Sequence, residues 1–238
     1  MNFGRQHANN FASLFSFKDI SEKTQQHLQH VYGLVLVCSL VCALGMYTNS
    51  AIVIGGFLLT LASIALSIFF ICQVANRGNS DNMRMGCLAG LAFQMGFLIG
   101  PVMHVLVAVD PKLVLQAVLY TATAFVSFSL VSLCSKRRSM LFLGGVIACL
   151  FQGMMMYQFF GWMLGYSFYN MAYLLFGLLL ACLYIIYDTQ MIIERAENGD
   201  KDVITHAMLL FVDLFDLFVK ILQILIKLKE DGERKNKK

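Results

Sequence analysis

Two aspartates stand where a carboxylate is costly. Asp188 lies within Leu183-Tyr184-Ile185-Ile186-Tyr187-Asp188-Thr189-Gln190-Met191-Ile192-Ile193, and Asp213 follows Ala207-Met208-Leu209-Leu210-Phe211-Val212. Both runs are apolar enough to enter a membrane. An ionisable group inside such a segment marks a functional site by default, because hydrocarbon cannot solvate it. Asp188 sits five residues before Ile193, and Asp213 six residues after Ala207. At about 1.5 Å per residue, both carboxylates lie roughly 8–10 Å below the same membrane face. The short loop between the two segments makes them antiparallel neighbours, so equal depth allows contact. Two carboxylates at hydrogen-bonding distance in low dielectric cannot both stay ionised; one pKa rises and a proton is shared. Removing that proton leaves two repelling anions, which separate or draw in a cation. Such a pair is a pH-operated latch, and its opened form is a divalent-cation site made by Asp188 and Asp213. The alternative is that each aspartate bonds separately to Tyr, Ser or backbone groups of a neighbouring helix.

The last apolar segment carries more polar groups. His206, Asp213, Asp216 and Lys220 recur at spacings of seven, three and four, which places them along one stripe of a helix. A helix with such a stripe must face protein or water, which predicts a central position in a bundle. Asp216 and Lys220, four apart, are expected to pair, leaving Asp213 as the partner of Asp188. His104, three residues beyond Gly100-Pro101, is an auxiliary candidate, expected as a satisfied interior histidine. The cysteines all fall in apolar segments with no metal-type clustering, which reads as reduced thiols packed as small hydrophobes.

These residues must be positioned by membrane helices. Of 238 residues, 58% are hydrophobic and 13% charged, against roughly 25% charged in a soluble domain. Spans are predicted at 31–48, 51–75, 85–109, 113–134, 140–160, 172–193 and 207–227. Polar breaks separate them at Thr48-Asn49-Ser50, 76–84, Asp110-Pro111-Lys112 and Ser135–Ser139. From Met140 to Ile193 the only charge is Asp188, and that stretch is too long for one helix. Its break is expected where Gly161, Gly165, Ser167 and Asn170 cluster among aromatics of the headgroup level. A soluble core could hide one such helix but not seven. The expected fold is therefore all-α: a polytopic seven-helix bundle with the C-terminal helix central. Residues 1–30 form a cytosolic N-terminal segment, 31–227 the seven-span domain, and 228–238 a basic tail. The first span is too far in for a cleaved signal and is expected to act as a signal anchor. Phe11, Leu14, Phe15 and Phe17 suggest a short helix on the membrane surface. Gly86 with Gly90, Gly96 with Gly100, and Gly161 with Gly165 predict close helix packing.

Basic residues sort the loops. Arg5, Lys18, Lys23, Arg77, Arg84, Lys136, Arg137, Arg138, Arg195 and Lys201 fall on one side, and Lys112 alone on the other. The positive-inside rule makes the first side cytosolic. Six further basic residues, Lys227 to Lys238, follow the seventh segment. Its length favours a full crossing; the charge balance favours re-entry.

The run from Leu183 to Glu194 resembles the signature of the Bax inhibitor family of membrane proteins. The likeness continues through Ala196-Glu197-Asn198-Gly199-Asp200, the Asp213 segment and the lysine-rich tail. Upstream, Thr24–Leu28, Leu88–Phe93, Gly100-Pro101 and Arg137–Gly145 are similar to the same family. The resemblance implies seven helices with the last wrapped by the other six. It implies a pH-sensitive calcium leak in the endoplasmic-reticulum membrane, suppression of cell death, and contact with anti-apoptotic Bcl proteins. Asp188 and Asp213 match the family's di-aspartyl sensor and would be its calcium contacts. The chain departs from the family in carrying His104 where an acidic residue follows the Gly-Pro. Its end departs from a strict dilysine retrieval signal at Asn236. Intramembrane aspartyl proteases also use a Tyr-Asp and a second aspartate, but Leu210-Phe211-Val212-Asp213 lacks the glycines that let substrate backbone approach. No catalytic residue, no cofactor and no nucleic-acid partner are expected; calcium enters as the transported ion, and membrane lipids are the surroundings. An oligomer is compatible with the sequence. The competing reading is a non-conducting scaffold that binds anti-apoptotic Bcl proteins or other channels.

Overall fold

In lipid every backbone N–H and C=O must be satisfied within the chain, which leaves the helix as the natural form for long apolar runs. The computed structural model describes residues 20–52, 57–135, 140–165 and 170–236, and they form seven helices with no strand among them. These are α1 (Glu22–Ile52), α2 (Phe57–Ala75), α3 (Asp81–Val109), α4 (Pro111–Cys134), α5 (Leu143–Leu164), α6 (Met171–Glu197) and α7 (Val203–Asn236). Among the described residues, α1, α3, α4, α5 and α6 are long and apolar enough to cross a membrane, and α2 adds a shorter apolar stretch, Leu61–Ala75. Large side chains such as Leu36, Leu40, Phe159 and Trp162 point outward, as lipid rather than water permits. The chain is an all-helical polytopic membrane protein. The surface helix expected around Phe11–Phe17 and the basic loop at 136–138 lie outside the described residues. All seven cysteines are free thiols.

The contacts divide the chain into two compact units, Met1–Leu28 with Thr123–Lys201, and Gln29–Ala122 with Asp202–Lys238. In the second, α2 and α3 form a hairpin. The Phe70 ring lies over Gly90, its Cζ 2.8 Å from where a Cβ would stand. The Gln94 amide donates to the Ser63 carbonyl and, at 2.9 Å, to Ser67 Oγ. Helices α1 and α3 cross at Gly45 and Gly96, where a Cβ on either would overlap the carbonyl of Phe93 or Cys42. The expected glycine packing thus holds for Gly90 and Gly96. It does not hold for Gly86, which has no heavy atom within 4 Å of a Cβ among the described residues.

The polar run Thr48-Asn49-Ser50 does not end α1, contrary to the sequence expectation; the helix continues to Ile52. The reason lies in α3. Pro101 sits inside that helix and has no N–H for the carbonyl four residues back. That carbonyl belongs to Phe97, and Asn49 Nδ2 donates to it at 2.7 Å. A residue read as a loop former is a buried partner for a proline-orphaned carbonyl.

Helix α7 follows α3 in parallel. At their first ends, Arg84 of α3 meets Asp202 and Thr205; at the far end, Lys229 Nζ lies 3.1 Å from Asp110 Oδ2. The 34 residues of α7 run without interruption, so the seventh segment spans the length of α3 rather than turning back. The basic tail is not a separate element, because α7 carries it as far as Asn236. Buried residues of α7, among them Ile204, Ala207, Leu210, Phe211, Leu217 and Leu222, cover more than half its circumference.

In the first unit, α5 packs on α6. Gly144 takes the Tyr187 ring at 2.9 Å from a would-be Cβ. The break falls where expected: α5 ends at Leu164 and Gly165 caps it with φ of 72°, a conformation that favours glycine. Gly165 therefore serves the turn rather than packing. Asn170 caps α6 by accepting from Tyr173 N at 2.8 Å, and donates to Tyr157 Oη at 2.6 Å. The Tyr157 and Tyr173 rings stack at 5.6 Å.

Candidate functional site

Asp188 lies on α6, nine residues before the helix ends at Glu197, and Asp213 on α7, ten residues after it begins at Val203. Each is only 8% exposed. Each carboxylate lies more than two turns from the near end of its helix and is buried there, where an ionised group is costly. Asp188 belongs to the first unit and Asp213 to the second.

The backbone around Asp188 is fixed by a two-way contact with α4. Ser132 Oγ donates to the Ile186 carbonyl at 2.9 Å, and Gln190 Nε2 donates to the Ser132 carbonyl at 2.6 Å. These bonds bracket Asp188, two residues to either side. Ser132, Thr189 and Gln190 are all buried. Sequence reasoning passed over Ser132 and Gln190. The available signal was a side-chain amide beside an aspartate in an apolar run, a donor that needs an acceptor when buried.

Along α7, His206 is fully buried beside Ala207 and Leu210, one to two turns before Asp213. Asp216 and Lys220 pair as expected, with Lys220 Nζ 4.0 Å from Asp216 Oδ1. The Asp216 side chain is 47% exposed, unlike that of Asp213. The stripe therefore passes from a buried to a half-exposed position over one turn. His104 departs from expectation: it lies on the exposed face of α3, while Met103 and Leu106 take the buried positions. The geometry gives it no interior role.

A cluster missing from the sequence reading joins α2, α3 and α7. Arg84, counted there only as a loop charge, is 6% exposed along its side chain. Its Nε donates to the Val74 carbonyl at 2.8 Å, and its Nη2 reaches Asp202 and, at 2.9 Å, Thr205 Oγ1. Arg77 adds a longer contact to Asp202 at 3.5 Å. Asp202 also caps α7 by accepting from Thr205 N at 3.2 Å, where a negative charge suits the helix dipole. Burial pushes the Asp202 carboxyl up, but the hydrogen bonds from Arg84 and Thr205 outweigh it and hold the pKa below its ordinary value. Among the described residues no group of three or more His, Cys, Asp or Glu is gathered as a metal cluster.

Fold and site together define a polytopic helical membrane protein with carboxylates buried in its sixth and seventh helices. The family model described as "Inhibitor of apoptosis-promoting Bax1" matches residues 24–230. The chain is 37% identical to the "Probable Bax inhibitor 1" of Paralichthys olivaceus, covering 96% of this chain and 97% of that protein. It is 35% identical to the Bax inhibitor 1 of Homo sapiens, with 96% and 97% covered. The Bax inhibitor 1 of Arabidopsis thaliana is 37% identical, with 94% and 90% covered. The chain belongs to the Bax inhibitor family.

Proposed function

We propose that this chain is a pH-sensitive calcium leak of the endoplasmic-reticulum membrane that suppresses cell death, gated by proton sharing between Asp188 and Asp213. The observation that carries the reading is the burial of both carboxylates inside long helices, which neither a soluble adaptor nor a simple anchor requires. With one proton between them the pair holds α6 and α7 together. Without it, two anions repel, and a divalent cation that prefers oxygen ligands stabilises the separated state. The Ser132–Gln190 contacts keep Asp188 in register for either state. The protein makes or breaks no covalent bond; its work is to hold or release a proton and admit an ion. Asp213→Asn cannot become an anion. In liposomes loaded with a calcium dye it should flatten the pH dependence of flux between about pH 5 and 8. Asp188→Asn should do the same, and the double variant should add little, because groups acting as one unit are non-additive. Asp216→Asn should leave most of the response intact. The opposite pattern, with Asp216 essential and Asp213 silent, would overturn the pairing.

A second reading has one observation in its favour: the relatives are named for inhibition of Bax. On that reading the chain is a scaffold that binds anti-apoptotic Bcl proteins and passes no ion. Absence of calcium flux from the purified wild-type chain at every pH would favour it.

A further inference from the structure

A groove of about 510 Å³ opens at the far end of the second unit, where α3, α4 and α7 meet. Its walls are Pro101, Val102, Val105 and Leu106 of α3, Leu113 of α4 and Ile226 of α7. That volume is in the range of a ligand site. Leu106 and Leu113 are buried at its floor, whereas Val102 and Val105 are exposed. In a membrane helix an exposed valine faces lipid, so the groove opens sideways into the bilayer. From the helix end at Val109 down to Pro101 the wall runs about 12 Å along α3, roughly the depth of one hydrocarbon leaflet.

The rim is charged with both signs. Lys229, Glu230 and Glu233 line it from α7, and Asp110 holds Lys229 from the α3–α4 turn at 3.1 Å. An ammonium has three donors, so Lys229 keeps two for another anion after bonding Asp110. Glu230 and Glu233 are three apart and share a helix face, and both are exposed. An apolar trough beneath an ammonium with donors to spare and two exposed carboxylates matches an acyl chain beneath a phosphate and a quaternary or primary ammonium.

We infer that this groove binds one zwitterionic glycerophospholipid, its acyl chain along Val102 and Val105, its phosphate at Lys229 and its ammonium at Glu230 and Glu233. A headgroup whose only charge is its phosphate would satisfy Lys229 but bring no cation to Glu230 and Glu233. A free phosphate compound would leave the trough unused. The reading rests on the membrane fold and is independent of the gate proposed for Asp188 and Asp213.

The test is native mass spectrometry of the full chain released from detergent micelles. Phosphatidylethanolamine, phosphatidylcholine and phosphatidylglycerol of identical acyl chains are titrated in turn, with free phosphorylethanolamine as the headgroup alone. One ethanolamine or choline lipid per chain should persist in preference to the glycerol lipid, and the headgroup alone should not bind. Glu230→Gln with Glu233→Gln should erase a preference on the order of fivefold, the size of one or two exposed ion pairs. Glu230→Lys with Glu233→Lys should invert it. Val105→Trp fills the trough and should remove the bound lipid whatever its headgroup. The inference fails if phosphatidylglycerol binds as well as the zwitterionic lipids. It fails equally if Val105→Trp, still monodisperse, keeps wild-type lipid occupancy, or changes the oligomeric state in place of lipid binding.

Discussion

Arg84 and Asp188 show what a single side chain does once buried. The two buried aspartates were legible in the sequence because a charge in an apolar run is conspicuous by itself. Arg84 was not, because a charge at the edge of a run reads equally as a solvated loop residue, and only the third dimension turns it inward onto Asp202, Thr205 and Val74. Removing one member of a buried ion pair leaves the other uncompensated, so Arg84→Ala should cost about 3 kcal/mol in unfolding measurements in detergent. Arg84→Lys should recover only part of it, since an ammonium lacks the planar fork that serves three acceptors. The pH dependence has a defined sign. The folded pKa of Asp202 is depressed, so its contribution is fully present above the ordinary aspartate value of about 3.9 and is lost as pH falls through the folded value. The difference in unfolding temperature between the wild type and Asp202→Asn should therefore be constant from neutral pH down to about pH 5 and close in more acid solution.

Hydropathy located the helices well and their ends poorly. Six of the seven extend past the predicted spans at one end or more, because hydropathy marks what lies in lipid whereas hydrogen bonding carries a helix beyond it. The Thr48–Ser50 error has the same origin: three polar residues resemble a loop unless a distant carbonyl needs one of them. Asn49, Pro101 and Phe97 form such a unit, and the unit can be tested. Asn49→Leu leaves the Phe97 carbonyl without its donor and should destabilise by about 1–3 kcal/mol. Adding Pro101→Ala returns a backbone N–H to that carbonyl, so the double variant should unfold at a higher temperature than Asn49→Leu alone. Additive losses would mean that the two residues act separately.

For the whole molecule the question left open by the sequence was where the chain ends. Charge counting favoured a seventh segment that turns back; the parallel run of α3 and α7, pinned at Arg84–Asp202 and Asp110–Lys229, favours a crossing. In a background lacking native cysteines, Lys112→Cys and Gly232→Cys should therefore label from one face of a sealed vesicle, and Asn76→Cys and Lys201→Cys from the other. Labelling of Gly232→Cys together with Lys201→Cys would restore the re-entrant arrangement. The length of α7 has one further consequence. Its 34 residues measure about 51 Å, some 20 Å more than the hydrocarbon layer is thick. A single crossing would leave that surplus outside the bilayer as a stiff post, its lysines spokes at fixed angles rather than beads on a loose thread. Trypsin needs an extended strand of backbone, so added from that side it should trim Arg234 and Lys235 first. It should reach Lys227 and Lys229 only as the post frays, leaving a short ladder of stable fragments instead of one clean cut.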